Sequence, residues 1–196
     1  TKREILIAKG HIVDYGTTIE VPIRMGGGVI VEAGFSNGCT IDHYETLINE
    51  NTAAILYVIS HHAVQKSMVG LEPVIELAQK HHLPIIVDAA AEGDLRKYTE
   101  MGADAVIYSG TKALVGPTSG LALGKEAFVK NVNLQYKGIG RVMKIGKEGM
   151  MGLYKAIELY LNKKPVTKEV QVARLEPFNE KINNIKHLSA TITQDA

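Results

Sequence analysis

Short apolar runs alternate with longer stretches of helix-spaced polarity from the first residues to about Gly124. The runs at 4–8, 29–32, 53–59, 85–88, 105–109 and 120–123 have the length and composition of strands. Between them, 42–49 opens on an acidic cap, and 71–82 places Leu71, Val74, Ile75 and Ala78 at helical spacing. These two segments predict crossover helices packed on a sheet. A further helix is expected over 94–101, stopped by Gly102, and a longer one over 148–162, ending before Lys163-Lys164-Pro165. That ending separates region 1–162 from region 163–196, where 167–182 is too mixed in pattern to be placed. Alternating strands and helices of this kind predict an α/β fold, a mostly parallel sheet flanked by helices in three layers.

Composition narrows the possible partners. A chain of 196 residues is long enough for one sizeable core, and no apolar run in it is long enough to cross a bilayer. Lys and Arg (22) nearly balance Asp and Glu (21), leaving a net charge of +1, which argues against a broad nucleic-acid-binding surface. A single cysteine, Cys39, excludes an internal disulfide framework, and Thr1-Lys2-Arg3-Glu4 lacks the apolar stretch of a signal peptide, so a cytoplasmic protein is expected. No His-Glu-x-x-His pattern accompanies the lone cysteine, and no metal site is expected. Gly26-Gly27-Gly28 precedes a strand and reads as a turn, and His81-His82 sits where a helix dipole explains it.

The run Ile85-Ile86-Val87-Asp88 is a buried strand that ends in a carboxylate. Ligands of open α/β sheets gather beyond the carboxyl ends of strands, so Asp88 stands where a functional acid belongs, although an Asp there can equally cap the next helix. The decisive feature lies 24 residues further on, where Lys112 follows the run at 105–109 within Ser109-Gly110-Thr111-Lys112-Ala113-Leu114-Val115-Gly116-Pro117. Alone, Lys112 reads as a surface lysine in a turn. In apolar, glycine-rich surroundings it would be partly desolvated and able to act as an amine nucleophile, with the Ser109 hydroxyl available to a phosphate. A Schiff-base lysine paired with an acid for a pyridinium nitrogen is what pyridoxal 5′-phosphate (PLP) requires, because the protonated ring draws electrons from a substrate carbanion.

The strand Asp followed by Ser-Gly-x-Lys-x-Leu-x-Gly-Pro resembles the aspartate-aminotransferase superfamily, fold type I, and within it the selenocysteine synthase-like branch. Ser60-His61-His62-Ala63-Val64-Gln65-Lys66-Ser67 and Val87-Asp88-Ala89-Ala90-Ala91-Glu92-Gly93-Asp94 are most similar to members of that branch acting on phosphorylated amino sugar acids. The resemblance implies a PLP-binding large domain over 1–162 and the start of a small α+β domain over 163–196. It makes Lys112 the cofactor-bearing lysine and Asp88 the pyridinium partner. It also assigns Ser109 to the cofactor phosphate, Ala90 to the cofactor site and His62 to the ring oxygen, with a histidine pair in a polar loop as the plain alternative. His11 falls where the superfamily stacks a residue on the PLP ring, with Tyr15 nearby. Arg141 in Arg141-Val142-Met143-Lys144 reads either as a site for substrate carboxylate or phosphate, or as a solvated basic turn.

The implied activity is a PLP-dependent lyase that removes water and ammonia from a β-hydroxy amino acid, working as at least a homodimer. Selenium transfer to seryl-tRNA and a non-catalytic relative of the same fold are the alternatives. The superfamily's upstream helix N-terminus for the cofactor phosphate, and most of its small domain, do not occur in these residues. The stretch is therefore expected to be the middle of a longer protein.

Overall fold

The computed structural model of the chain describes residues 1–60, 63, 66–163 and 166–193. It divides into two compact units, Thr1–Glu158 and Leu159–Ala196. Six strands form one sheet: β1 (Glu4–Ala8), β2 (Val29–Ala33), β3 (Thr52–Val58), β4 (Ile85–Asp88), β5 (Ala105–Ser109) and β6 (Gly120–Gly124). Their order is β2-β1-β3-β4-β5-β6, with β6 antiparallel to β5 and every other pairing parallel. Each strand lies within a residue of its expected position at either end.

Burial on both faces explains why the strands read as continuous apolar runs rather than alternating ones. Leu6, Ala8, Ile55, Tyr57, Ile85, Val87, Val106 and Tyr108 point into one core, beneath the apolar stripe Leu71, Val74, Ile75 and Ala78 of α3 (Leu71–Lys80, the third helix after α1, Glu20–Met25, and α2, Ile41–Glu45). The intervening Ile7, Leu56 and Val58 face a second core that is closed by Val13, Ile19 and Ile23. The helix α3 ends where His82 adopts φ 52°, a left-handed turn that stops further helical bonding.

Two expected helices are shorter than the sequence suggested. The segment from Asp94 becomes helical only as α4 (Lys97–Glu100), because the Asp94 carboxylate accepts the N–H groups of Arg96 and Lys97 at 2.9 and 3.0 Å and so stands outside the helix as a cap. The expected acidic cap at Asp42 is corrected: α2 starts at Ile41 after Thr40, whose N–H donates to His43 Nδ1 at 3.0 Å, so Asp42 lies inside the first turn, and the chain tightens after Glu45 through Leu47 N–H to Tyr44 C=O and Ile48 N–H to Glu45 C=O. Asp104 ties three strands together: one carboxylate oxygen accepts Ile85 N–H at 2.8 Å and the other pairs with Lys125 at 2.6 Å, just beyond β6. After β6 come α5 (Glu126–Leu134) and α6 (Lys147–Leu161).

The second unit holds α7 (Lys168–Asn183), a helix with Pro177 inside it and no buried residue. The Asn183 side chain brackets Ala190, donating to its C=O at 3.0 Å and accepting its N–H at 2.7 Å. Among the described residues of this unit there is no strand. No helix among the described residues is long and apolar enough to cross a membrane, and none of them gathers His, Cys, Asp or Glu into a metal-binding group.

Candidate active site

Parallel strands deliver their carboxyl ends to one edge of the sheet, and Ala8, Val58, Asp88 and Ser109 all end there. Asp88 is half-buried at the close of β4. Its Oδ1 accepts Ala90 N–H at 3.2 Å. The turn is then stitched to β5: Ala89 N–H donates to Ile107 C=O at 2.9 Å, and Ser109 N–H to Ala90 C=O at 3.1 Å. Burial pushes the Asp88 carboxyl above the usual range, opposed by the Ala90 amide and by the charge of Lys112. Among the described residues, burial therefore outweighs the amide and the cation that favour the charged carboxylate.

Lys112 supplies that cation from the loop after β5, with its Nζ 5.1 Å from the centroid of the Tyr15 ring. The Tyr15 side chain is hydrogen-bonded to Ser60 and senses Asp88, while burial raises its hydroxyl pKa. Lys112 is exposed, which corrects the expectation of a partly desolvated amine: the apolar side chain of the loop that turns inward is Leu114, 2 % exposed. The loop turns tightly, with Gly110 N–H donating to Ser119 C=O at 2.9 Å and Gly116 N–H to Gly110 C=O at 2.6 Å. A Cβ on Gly110 would run into Ser119 Oγ and lie 3.0 Å from the Pro117 carbonyl oxygen and 3.1 Å from Leu153 of α6, so only glycine fits. Val115 sits at φ 53°, a costly conformation for a β-branched residue, in the same turn.

The other expected residues divide. Ala90 joins the site through its backbone, with both polar groups engaged. The Ser109 hydroxyl lies 3.0 Å from Thr111 Oγ1 and accepts Thr111 N–H at 3.3 Å, making a two-hydroxyl cluster at the start of the lysine loop. His62 lies outside the described residues. The stacking role expected of His11 is corrected: its ring is fully buried, meets Tyr57 edge-on at 4.6 Å and accepts Val58 N–H at Nδ1, 3.4 Å away. Such a ring is closed off from solvent, whereas Tyr15 is 41 % exposed and lies beside Lys112. Arg141 lines a separate concavity of about 490 Å³ with Lys144, Ile145, Gly146, Lys147 and Met150, at the N-terminal end of α6. Lys147 in this group had no sequence signal beyond its position at the helix start.

Burial without a counter-charge holds the His11 pKa down at about 4, against 6.5 for the free side chain. The unfolded chain therefore takes up this proton first, so the folded state loses stability as the pH falls from 6.5 towards 4. The shift corresponds to about 3 kcal/mol in full. Urea unfolding at pH 7 and pH 4 should show this loss in the native protein and a smaller one in His11→Asn, which keeps an acceptor for Val58. Equal losses in the two proteins would place the acid sensitivity elsewhere.

An open, mostly parallel sheet with a strand-end acid and a lysine in the next loop defines the large domain of the fold type I PLP enzymes. Within that class the chain belongs to the family described as SelA, L-seryl-tRNA selenium transferase, whose model matches residues 1–195. It is 49 % identical over 98 % of its length to D-glucosaminate-6-phosphate ammonia lyase of Salmonella typhimurium, covering 51 % of that protein. It is 39 % identical, again over 98 % of its length, to a 5′-C-glycyluridine monooxygenase-decarboxylase of a Streptomyces species, covering 49 % of it. A solved structure of D-glucosaminate-6-phosphate ammonia-lyase superposes with a TM-score of 0.86 at 48 % identity, over 98 % of this chain and 52 % of that one. The chain thus spans about half the length of the curated relatives it matches.

Proposed function

We propose that the chain carries the lysine and the ring-anchoring acid of a PLP-dependent ammonia-lyase that converts D-glucosaminate 6-phosphate to 2-keto-3-deoxy-6-phosphogluconate and ammonia. The observation that carries this reading is the meeting of Asp88 and Lys112 at one sheet edge, beside an exposed tyrosine ring. The 49 % identity to the Salmonella lyase supports the choice of substrate.

The residues fit the cofactor. Burial outweighs the partners of Asp88 among the described residues, and a protonated ring nitrogen would be a further one. Lys112 would hold the cofactor covalently, with Tyr15 beside that lysine, and the Ser109–Thr111 hydroxyl pair would offer donors to its phosphate. The resemblance also assigns the ring oxygen to His62. When bound, PLP provides an electron sink for the charge left behind as the substrate's α-proton departs. The Lys112 amine, when not attached to the cofactor, would be the general base that takes this proton. Asp88 would hold the proton on the ring nitrogen. The β-hydroxyl leaves as water, a water is regained as ammonia is released, and the net change is loss of ammonia. Arg141, Lys144 and Lys147 give the substrate's phosphate a cationic seat. The packing of α6 on the lysine loop, through Leu153 against Gly110 and Gly152 against Pro117, links that seat to the reacting centre. The reading carries with it a cytoplasmic enzyme that is at least a homodimer.

The test uses the full-length protein with added PLP. A visible absorbance band and ammonia release from D-glucosaminate 6-phosphate, much faster than from the unphosphorylated acid, are the expected results. A protein with no band after PLP addition would overturn the cofactor reading. A band without ammonia release, but with activity on seryl-tRNA and a selenium donor, would move the substrate to the aminoacyl-tRNA class.

A further inference from the structure

The turn that follows Asp88 is held from outside by two tyrosines that the proposed chemistry does not use. Glu92 N–H donates to Ala89 C=O at 3.0 Å, closing a turn that contains Ala90, the residue whose amide reaches the Asp88 carboxylate. The Glu92 side chain is fixed in turn: its Oε2 accepts the hydroxyl hydrogen of Tyr98 at 3.1 Å, and Tyr98 is only 3 % exposed. A little further along, the fully buried Tyr108 donates its hydroxyl to Asp94 C=O at 2.7 Å. Tyr98 stands at the start of the one-turn helix α4 and Tyr108 in the middle of β5, so both hydroxyls are carried by packed elements while the segment between Asp88 and Asp94 is irregular.

We propose that Tyr98, acting through Glu92, is a positioning residue for Asp88: the buried phenol anchors the 89–92 turn, and the turn holds the Ala90 amide against the carboxylate. The inference rests on the reading of Asp88 as the ring-nitrogen acid. Among the described residues, the charged and titratable groups acting directly on Asp88 are Lys112, on the opposite loop, and Tyr15. Neither belongs to the turn. Tyr108 anchors the far end of the segment through the Asp94 carbonyl, two residues beyond the turn, whereas Tyr98 grips the side chain of Glu92, the residue whose N–H closes it. The larger effect on Asp88 is therefore assigned to Tyr98. The arrangement also explains why Glu92 follows the strand acid in this chain: a carboxylate accepts from a phenol more strongly than a neutral group does.

The experiment uses the full-length protein in four forms, wild type, Tyr98→Phe, Glu92→Ala and Glu92→Gln, with the double variant Tyr98→Phe/Glu92→Ala. Two quantities are read in each: the titration of the Asp88 carboxyl carbon by NMR without cofactor, and the affinity for PLP. Loss of the anchor frees the Ala90 amide, which favours the charged carboxylate, so Tyr98→Phe and Glu92→Ala should each move the Asp88 midpoint to higher pH. Each should also weaken PLP binding by about tenfold, with the double variant no worse than either single one, as for residues acting along one path. Glu92→Gln, which still accepts from Tyr98, should recover most of both. A wild-type Asp88 titration in Tyr98→Phe and Glu92→Ala overturns the positioning role. So does a double variant whose losses add, or a Glu92→Gln no better than Glu92→Ala. If the Asp88 midpoints move as stated but no form binds PLP, the positioning role stands and the cofactor reading fails instead.

Discussion

Lys112→Ala is expected to abolish turnover in the full-length enzyme, by at least about 10³-fold, and to remove the absorbance of lysine-bound PLP. On the proposed reading two roles are lost together, covalent attachment and removal of the α-proton, and general-base catalysis alone contributes roughly 10²–10⁴-fold. The loss is not one of folding. Lys112 is exposed and its nearest described aromatic partner is Tyr15, itself 41 % exposed, so truncation empties no core space. Stability should stay within about 0.5 kcal/mol of wild type, as for surface positions generally. The charge has a separate consequence, because Lys112 helps hold the Asp88 carboxyl down against burial. In Lys112→Ala the Asp88 midpoint should rise further. Lys112→Arg separates the roles: a guanidinium keeps the positive charge over the Tyr15 ring but cannot attach the cofactor or serve as a base at neutral pH. It should restore the Asp88 titration and leave turnover absent. An arginine variant that turned over within a hundredfold of wild type would remove Lys112 from the chemistry.

The parts of this molecule legible in the sequence are those fixed by local pattern. Strands buried on both faces announce themselves as apolar runs, and the stripe of α3 by its spacing. What the pattern does not carry is competition between a side chain and the backbone. Asp94 looked like the first residue of a helix and is its cap, because its carboxylate takes two amides before the helix begins. The sequence placed 167–182 nowhere, since α7 has no buried face to impose a period and includes Pro177, yet it is helical. The proposed pair, Asp88 and Lys112, can be picked out from the pattern because each ends or follows a strand. His11 was misjudged for the same reason: it also follows a strand, but its ring turns down against Tyr57 instead of out. The contribution of Tyr98 was hidden altogether, since a tyrosine hydroxyl that reaches back six residues to Glu92 leaves no periodic trace.

Asp88→Asn should give the clearest case of function held against stability. Burial raises the Asp88 carboxyl pKa above its ordinary 3.8, which means that the folded state binds this proton more tightly than the unfolded chain does. The charged carboxylate, favoured as the pH rises, is therefore the form whose burial is unfavourable. Lowering the pH through the raised midpoint removes that cost, and below 3.8 the contribution of this group to wild-type stability is complete. Asparagine has no charge to bury and can still accept the Ala90 amide, so the variant without cofactor should be more stable than wild type at pH 7 by about 1 kcal/mol, the scale found when strained active sites are relieved. The advantage should shrink as the pH is lowered towards 4. Activity should move the opposite way. A neutral amide cannot keep the cofactor's ring nitrogen protonated, and loss of one preorganised electrostatic partner costs on the order of 10²–10³-fold in turnover. PLP should still attach, because Lys112 is untouched. Denaturant unfolding at two pH values, together with ammonia release at saturating D-glucosaminate 6-phosphate, tests both halves. An Asn variant less stable than wild type at pH 7 would show that Asp88 is held by charge-satisfying contacts in the folded protein. One with near-normal turnover would show that the ring nitrogen needs no acid from β4.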